Sequence, residues 1–406
     1  MLRASCLVAV LAAPALAGGG ILTVNSTLDL PDADVFDGVP DADLVEPGEQ
    51  ITLRAAIMQA NFSKGADTIE LPAGLYKLDI QGFDEDAGAT GDLDVTDDLT
   101  ISGEGPLATI VDGKQARDRV FDVVGGTLVT FEDFTIARGA APTKNVDDQR
   151  GGGIRNEGDL TLRGMVIARC RTGDADAGGL SHSDGALLVE DSVFLKNKSK
   201  DDGAGVDMSS GNGVFTRVSF VKNKAKGAGG ALETSPATAA FESCTFSANK
   251  SGAGGGALSI KNGSSVTLLN CTLAKNKAKV GSGLLETPDD VLSNTIELAN
   301  CIVANKATTN YAGDGLTSLG GNLDSGTTCG FGAAGDIEGQ DPRLEKLSAV
   351  PGELPVHRLK SDSPCIDAAD DGTCPATDQL GQARVDVPGV GTTVCDSGSM
   401  EFQPEP

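Results

Sequence analysis

The chain has 406 residues, with 54 glycines, no tryptophan and two tyrosines, and 58 acidic against 32 basic residues leave it a formal charge of −26. Such a charge repels nucleic acid and anionic membranes from the molecule as a whole and keeps a long chain dispersed. Its nine cysteines are too few for a small disulfide scaffold, and no later run approaches the roughly 20 apolar residues that cross a bilayer.

In chain order, Arg3 precedes an apolar run from Cys6 to Leu16, and Ala15-Leu16-Ala17 offers a signal-peptidase site before Gly18. Residues 1–17 therefore read as a signal peptide, and the mature chain as a soluble exported protein. Cys6 lies inside the apolar run, which argues against a lipoprotein. Acidic residues then crowd between Asp29 and Glu46, among them Asp32, Asp34, Asp37, Asp41 and Asp43. A hard cation takes several oxygens around a glycine-bearing turn, so this stretch is a candidate calcium loop, against the plainer reading of a solvated acidic loop. From Thr52 to Asn61, Leu53, Ala56, Ile57 and Ala60 fall at i, i+3, i+4 and i+7, which predicts one amphipathic helix. Residues 18–65 are thus expected to form an N-terminal cap over the first coil of a repeat array.

That array spans residues 66–320. Short β-branched or apolar runs (Thr68–Leu71, Leu99–Ile101, Phe131–Ile136) open it, separated by glycine-bearing turns. From Gly153 the period is explicit: glycine triplets end at Gly153, Gly179, Gly205, Gly230, Gly256 and Gly283, at intervals of 26, 26, 25, 26 and 27. A second column holds Ile167, Phe194, Phe220, Phe246, Leu273 and Val303; two residues before each stands Met165, Ser192, Val218, Cys244, Cys271 or Cys301. A spacing of two is a strand with one face inward, and the helical spacings of three and four are missing. About 26 residues accommodate three short strands and three turns, one coil rising about 4.8 Å. The expected fold is all-β: a single-stranded right-handed parallel β-helix, or pectin-lyase-like solenoid, with a short N-terminal capping helix and an irregular C-terminal cap over residues 321–406.

A third column is asparagine: Asn197, Asn223, Asn249, Asn276 and Asn305. Stacked inward asparagines hydrogen-bond along the axis and satisfy buried polar groups, which predicts a structural ladder. Lysines flank it: Lys196, Lys198 and Lys200, then Lys222, Lys224 and Lys226, then Lys250, then Lys275, Lys277 and Lys279, then Lys306. With the asparagines inside, these lysines lie outside and draw a basic stripe along an acidic rod. The stripe is a candidate surface for an anionic polysaccharide or cell-surface glycan; the plainer reading is that turn lysines keep the rod a wet monomer. Cys244, Cys271 and Cys301 read as small buried side chains of the inward column.

Hydrolytic chemistry on a sugar polymer would require two carboxylates astride the linkage, and the adjacent pairs Asp201-Asp202 and Asp289-Asp290 are candidates within the array. Neither brings a supporting His or Arg; His182 reads as a surface turn and His357 as part of the C-terminal region. The segment Asp202-Gly203-Ala204-Gly205-Val206-Asp207 resembles half of a calcium-binding glycine repeat and occurs once. Four late cysteines, Cys329, Cys365, Cys374 and Cys395, permit three pairings, and Cys329 with Cys365 plus Cys374 with Cys395 is the expected one.

The two ends carry a resemblance. Thr52-Leu53-Arg54-Ala55-Ala56-Ile57-Met58-Gln59-Ala60-Asn61, with Asp67 to Gly74 after it, is similar to the N-terminal motif of CSLREA-type exported bacterial proteins. Gly321-Asn322-Leu323, Asp341-Pro342, Ser363 to Ala368 and Cys374 to Gln379 resemble a choice-of-anchor Q-type C-terminal region. The resemblance implies export and a β-helix, not a reaction. It departs from the pattern where Ile51 and Pro40 stand at the family's cysteines, and where Cys395 to Phe402 replaces its closing motif. Together these readings point to a non-catalytic surface or extracellular protein that contacts glycans, with a polysaccharide lyase or hydrolase as the alternative.

Overall fold

The computed structural model describes residues 19–404 except 44, 46–47, 83–85, 142–148, 288–291, 306–308, 349, 388–389 and 391–393. The expected signal peptide, the pair Asp289-Asp290 and Lys306 lie outside the described residues. Each coil of the repeat contributes one strand to each of three parallel sheets, as in Ala186–Glu190 (sheet 1), Val193–Leu195 (sheet 2) and Val206–Met208 (sheet 3). Among the described residues the sheets hold 11, 11 and 9 strands, all parallel, and each strand short of the ends pairs with those of the coils before and after it. The fold is a right-handed parallel β-helix, the hand that parallel crossovers adopt.

Register makes like residues stack. Phe194 pairs with Phe220 and Phe220 with Phe246, and the rings lie nearly parallel with centroids 5.1 and 4.8 Å apart. Phe215 and Phe241 form a second stack at 4.8 Å, edge-on to the first. The asparagines run the length of the turn that comes after sheet 2. The N–H of Asn197 donates to Asn223 Oδ1 (2.9 Å), that of Asn223 to Asn249 (2.9 Å), that of Asn249 to Asn276 (3.0 Å) and that of Asn276 to Asn305 (2.7 Å). Each amide Nδ2 from Asn197 to Asn276 also donates to a sheet 2 carbonyl of the preceding coil, at Ile167, Phe194, Phe220 and Phe246. The ladder therefore consumes backbone groups that the turn would otherwise bury unpaired. Cys244, Cys271 and Cys301 are buried thiols.

The helix spans Leu53–Phe62, with Thr52 Oγ1 accepting from the Ala55 N–H (3.0 Å) as N-cap. Arg54, the arginine of the N-terminal motif, is inside. Its Nε donates to Asp29 Oδ1 (2.7 Å) and its other nitrogens to the carbonyls of Gly88, Gly91 and Asp92 (2.7–2.8 Å). Asp29 Oδ2 in turn accepts from the N–H groups of Asp79 and Ile80. One buried guanidinium thus ties the acidic N-terminal loop, the helix and the loop before the first sheet 3 strand.

At the other end the solenoid continues through Ile337–Glu338, after which the chain runs back along the outer face of sheet 2. Outward hydroxyls of that face meet it. Ser219 Oγ donates to the Pro355 carbonyl (2.9 Å), Thr245 Oγ1 to Gln379 Oε1 (2.6 Å), and Ser247 Oγ lies 2.9 Å from His357 Nε2. Gly352 reaches Leu107, so the region where a closing cap is expected is also a lateral arm spanning most of the rod. Burial lowers the His357 pKa to about 4, which leaves the imidazole neutral in this contact.

Cys374 and Cys395 are disulfide-bonded. The other expected bridge, Cys329 to Cys365, is not formed. Cys329 belongs to the main core, while Cys365 packs with Ile302, Leu323, Leu359 and Ile366 in a separate cluster under the arm. Both remain buried thiols, and burial pushes that of Cys365 up to about 12.

Candidate functional site

Two surfaces of the coil stack carry charge in register. The first is the turn of the asparagine ladder. Lys198, Lys224, Lys250 and Lys277 are bridged through their backbones in successive coils, and the same file begins one coil earlier with Arg171. A second file occupies the residue before the ladder: Arg169, Lys196, Lys222, Ala248 and Lys275, all with φ between 56° and 60°. That left-handed conformation turns the chain so that Asn points inward and its neighbours outward. All the basic residues of both files are exposed. Among the described residues, none of Arg171, Lys198, Lys224, Lys250 and Lys277 has an ion-pair partner within 4.0 Å; Lys200, just beyond, bonds Asp174 (3.2 Å). Five charges at steps of about 4.8 Å extend for about 19 Å. At its C-terminal end the turn opens onto a cavity of about 410 Å³ bounded by Lys275, Asn305, Ser325 and Asp341.

Residues 153–324 match the family model of the right handed beta helix region. No curated protein and no solved structure matches the chain. The matched segment of the β-helix contains both basic files from Arg169 to Lys277 and most of the second charged surface, which is acidic.

That surface is the outer face of sheet 3. Its outward column reads Asp94, Asp122, Arg155, Ser181, Asp207, Glu233 and Ser259 from coil to coil. Toward the N-terminus the charges are paired: Arg119 Nε lies 3.2 Å from Asp92 and its Nη1 3.1 Å from Asp122, which also accepts from Arg155 (2.9 Å). Farther along, Asp207 and Glu233 are 4 % and 5 % exposed although they point away from the core. The long turn between sheets 2 and 3 covers them and brings in Asp176, Asp201 and Asp202. Lys261 Nζ bridges Asp202 Oδ2 (2.7 Å) and Glu233 Oε1 (3.0 Å).

Burial, reinforced by the carboxylates of Asp176 and Asp202, raises the Asp207 pKa to about 8; burial and then Asp202 raise that of Glu233 to about 9. Burial also acts to raise Asp202, but Lys261 and the Ala228 N–H outweigh it and hold Asp202 below the usual value. The sign for stability is set by Asp207 binding its proton more tightly when folded. Its contribution is complete below about pH 4, the unfolded value, and is lost as pH rises through 8. We expect the thermal unfolding midpoint to fall from pH 5 to pH 9, and Asp207→Asn to flatten that fall. An equal fall in the variant, followed by circular dichroism, would contradict the assignment.

The remaining predicted residues occupy varied places. Asp32, Asp34, Asp37, Asp41 and Asp43 each accept through Oδ1 from the N–H two residues on, at 2.8–3.1 Å, forming a chain of Asx turns. Among the described residues no three of them bring carboxylate oxygens within 4.8 Å of one another, although Asp32 Oδ2 is buried without a hydrogen-bond partner. His182, expected on a surface turn, is instead an inward residue of the strand Leu180–His182, with Nδ1 2.8 Å from Asn156 Nδ2. Burial lowers its pKa. Of the pair Asp201-Asp202, Asp202 bonds Lys261 beside the buried Glu233 while Asp201 is exposed. Sequence reasoning missed Arg169 and Arg171, which continue the lysine files under a different residue type, and Glu233 and Lys261; it named Asp207 only within the glycine-repeat segment. The signal for the acids is a carboxylate between two inward positions, Val206 and Met208 or Leu232 and Thr234, at the same phase of the 26-residue period.

Proposed function

We propose that this chain is an exported, non-catalytic β-helix protein whose work is lengthwise contact with an anionic polysaccharide of the cell surface or matrix. The observation that carries the reading is the double basic file from Arg169 and Arg171 to Lys275 and Lys277, exposed and in register on a chain of charge −26. A regular row of cations matches the regular anions of an extended uronate polymer, and many weak contacts sum along one rigid ligand. Such contacts are salt-sensitive because every partner is exposed. Among the described residues no helix is long and apolar enough to cross a membrane.

A hydrolase or lyase acting on the same class of polymer is the second reading, favoured by Asp207 and Glu233 on adjacent coils. Their burial under the sheet 2 to sheet 3 turn weighs against it, since a sugar linkage has to reach both acids. The test titrates the protein with polyuronate at low salt and analyses the polymer by mass spectrometry. Replacing Lys198, Lys224 and Lys277 together by Gln is expected to weaken binding about tenfold, at roughly 0.5 kcal/mol per exposed contact. Unchanged binding removes the polyanion reading, and new oligosaccharide products replace it with the enzymatic one.

A further inference from the structure

The turn between sheets 2 and 3 repeats one acidic position in consecutive coils. Asp176 Oδ1 accepts from the Asp202 N–H (2.8 Å), and Asp202 Oδ1 from the N–H of Ala228, so each aspartate caps the turn above it. This stacking brings one carboxylate oxygen each of Asp176, Asp201 and Asp202 within 4.8 Å of the others. Gly227 leaves the room: a Cβ there would overlap Asp202 Oδ1. From the sheet below comes Glu233, joined to Asp202 through the shared Lys261 ammonium. Its second oxygen, Oε2, is buried with no hydrogen-bond partner, on a side chain only 7 % exposed. An orphaned carboxyl oxygen near three clustered carboxylates leaves acceptors that Lys261 alone does not fill. The ionisable groups around it are five carboxyls, counting Asp207, against Lys261 and Arg150, and burial and crowding raise Asp207 and Glu233 above the usual carboxyl range.

We propose that Asp176, Asp201, Asp202 and Glu233 form a binding site for one divalent cation of the calcium class. Hard oxygen donors in an irregular, partly open turn suit calcium, which accepts six to eight oxygens at variable angles, better than magnesium, which demands a near-octahedral cage. Asp201 is exposed and gives the ion its way in; Asp202 and Glu233 hold its inner side. Backbone carbonyls of the turn and water complete the shell. Lys261 bridges Asp202 and Glu233, so ion and ammonium compete for those two side chains. This site is independent of the polysaccharide reading, because none of its residues belongs to the basic files.

The experiment is isothermal titration of the full chain with calcium chloride, with magnesium chloride as the control, on the parent and three variants. Asp201→Asn, an exposed change that leaves the turn's hydrogen bonds in place, is expected to weaken calcium binding at least tenfold. Lys261→Met is expected to tighten it severalfold by removing the competitor. Simple damage to the fold would weaken binding in both variants, so the opposite directions are the signature. Asp37→Asn, in the acidic N-terminal loop, is expected to leave this binding unchanged. No calcium heat in the parent, equal binding in Asp201→Asn, weaker binding in Lys261→Met, or loss through Asp37→Asn alone would each overturn the proposal.

Discussion

Replacing Phe220 by alanine is expected to destabilise the central coils by about 3–5 kcal/mol, the range for emptying a fully buried aromatic site. Phe220 is 0 % exposed and stacked between Phe194 and Phe246, and it meets Phe215 and Phe241 at 5.9 and 6.3 Å. The loss therefore removes ring contacts on both coils beside it as well as its own buried area. In a solenoid each coil is stabilised by its neighbours, so the damage should appear first as a local opening. Hydrogen exchange should show amides from the strands Val193–Leu195 to Thr245–Ser247 losing protection before those of the terminal coils. The urea midpoint should fall as well, and Phe220→Leu should fall less. A variant that unfolds with the parent's midpoint and exchange pattern would mean that the stack contributes little beyond filling space.

The second large effect is expected at Arg54. Substitution by alanine leaves Asp29 as an unpaired buried carboxylate and the carbonyls of Gly88, Gly91 and Asp92 without their donor. Breaking a buried pair by removing one partner costs about 3–5 kcal/mol, most of it from the charge left behind. Lysine should not rescue it, since one ammonium cannot reproduce the planar fork that reaches four partners in different directions. Limited proteolysis is the direct measurement: cleavage in residues 29–50 should become rapid in Arg54→Ala and in Arg54→Lys while residues 153–324 stay protected. A protease-resistant N-terminal loop in both variants would show that the helix stripe alone holds this end. The effect also gives the N-terminal motif a physical content. Its leucine, alanines and isoleucine pack the helix on the first coils, and its arginine locks the preceding loop to them.

Much of the architecture is legible in the sequence. The period of about 26 residues, the phenylalanine and asparagine columns and the helix behind Thr52 are all local or periodic signals. Parallel stacking turns identical residues one period apart into contacts, so a column in the sequence is a contact in space. The outward placement of Lys198, Lys224 and Lys277 comes from the inward asparagine beside each, because neighbours along an extended chain face opposite ways.

What periodicity does not carry, the sequence left open. Residues beyond Glu338 have no repeat, and nothing local says that they run along sheet 2; the buried hydroxyls of Ser219, Thr245 and Ser247 acquire a purpose only once Pro355, Gln379 and His357 lie against them. The same arm places Cys365 in a cluster apart from Cys329, which no spacing argument foresees. Asp207 and Glu233 sit at outward strand positions, where sequence alone implies solvent. Only the fold of the intervening turn decides that they are covered and crowded by Asp202, with Glu233 joined to Lys261. By itself the sequence determined the coil, its register and the lysines of its basic files, since those depend on neighbours one period away. Tertiary structure alone decided the lateral arm, the N-terminal clamp and the acidic corner, because each depends on irregular segments whose path is set by packing and charge between residues far apart in the chain.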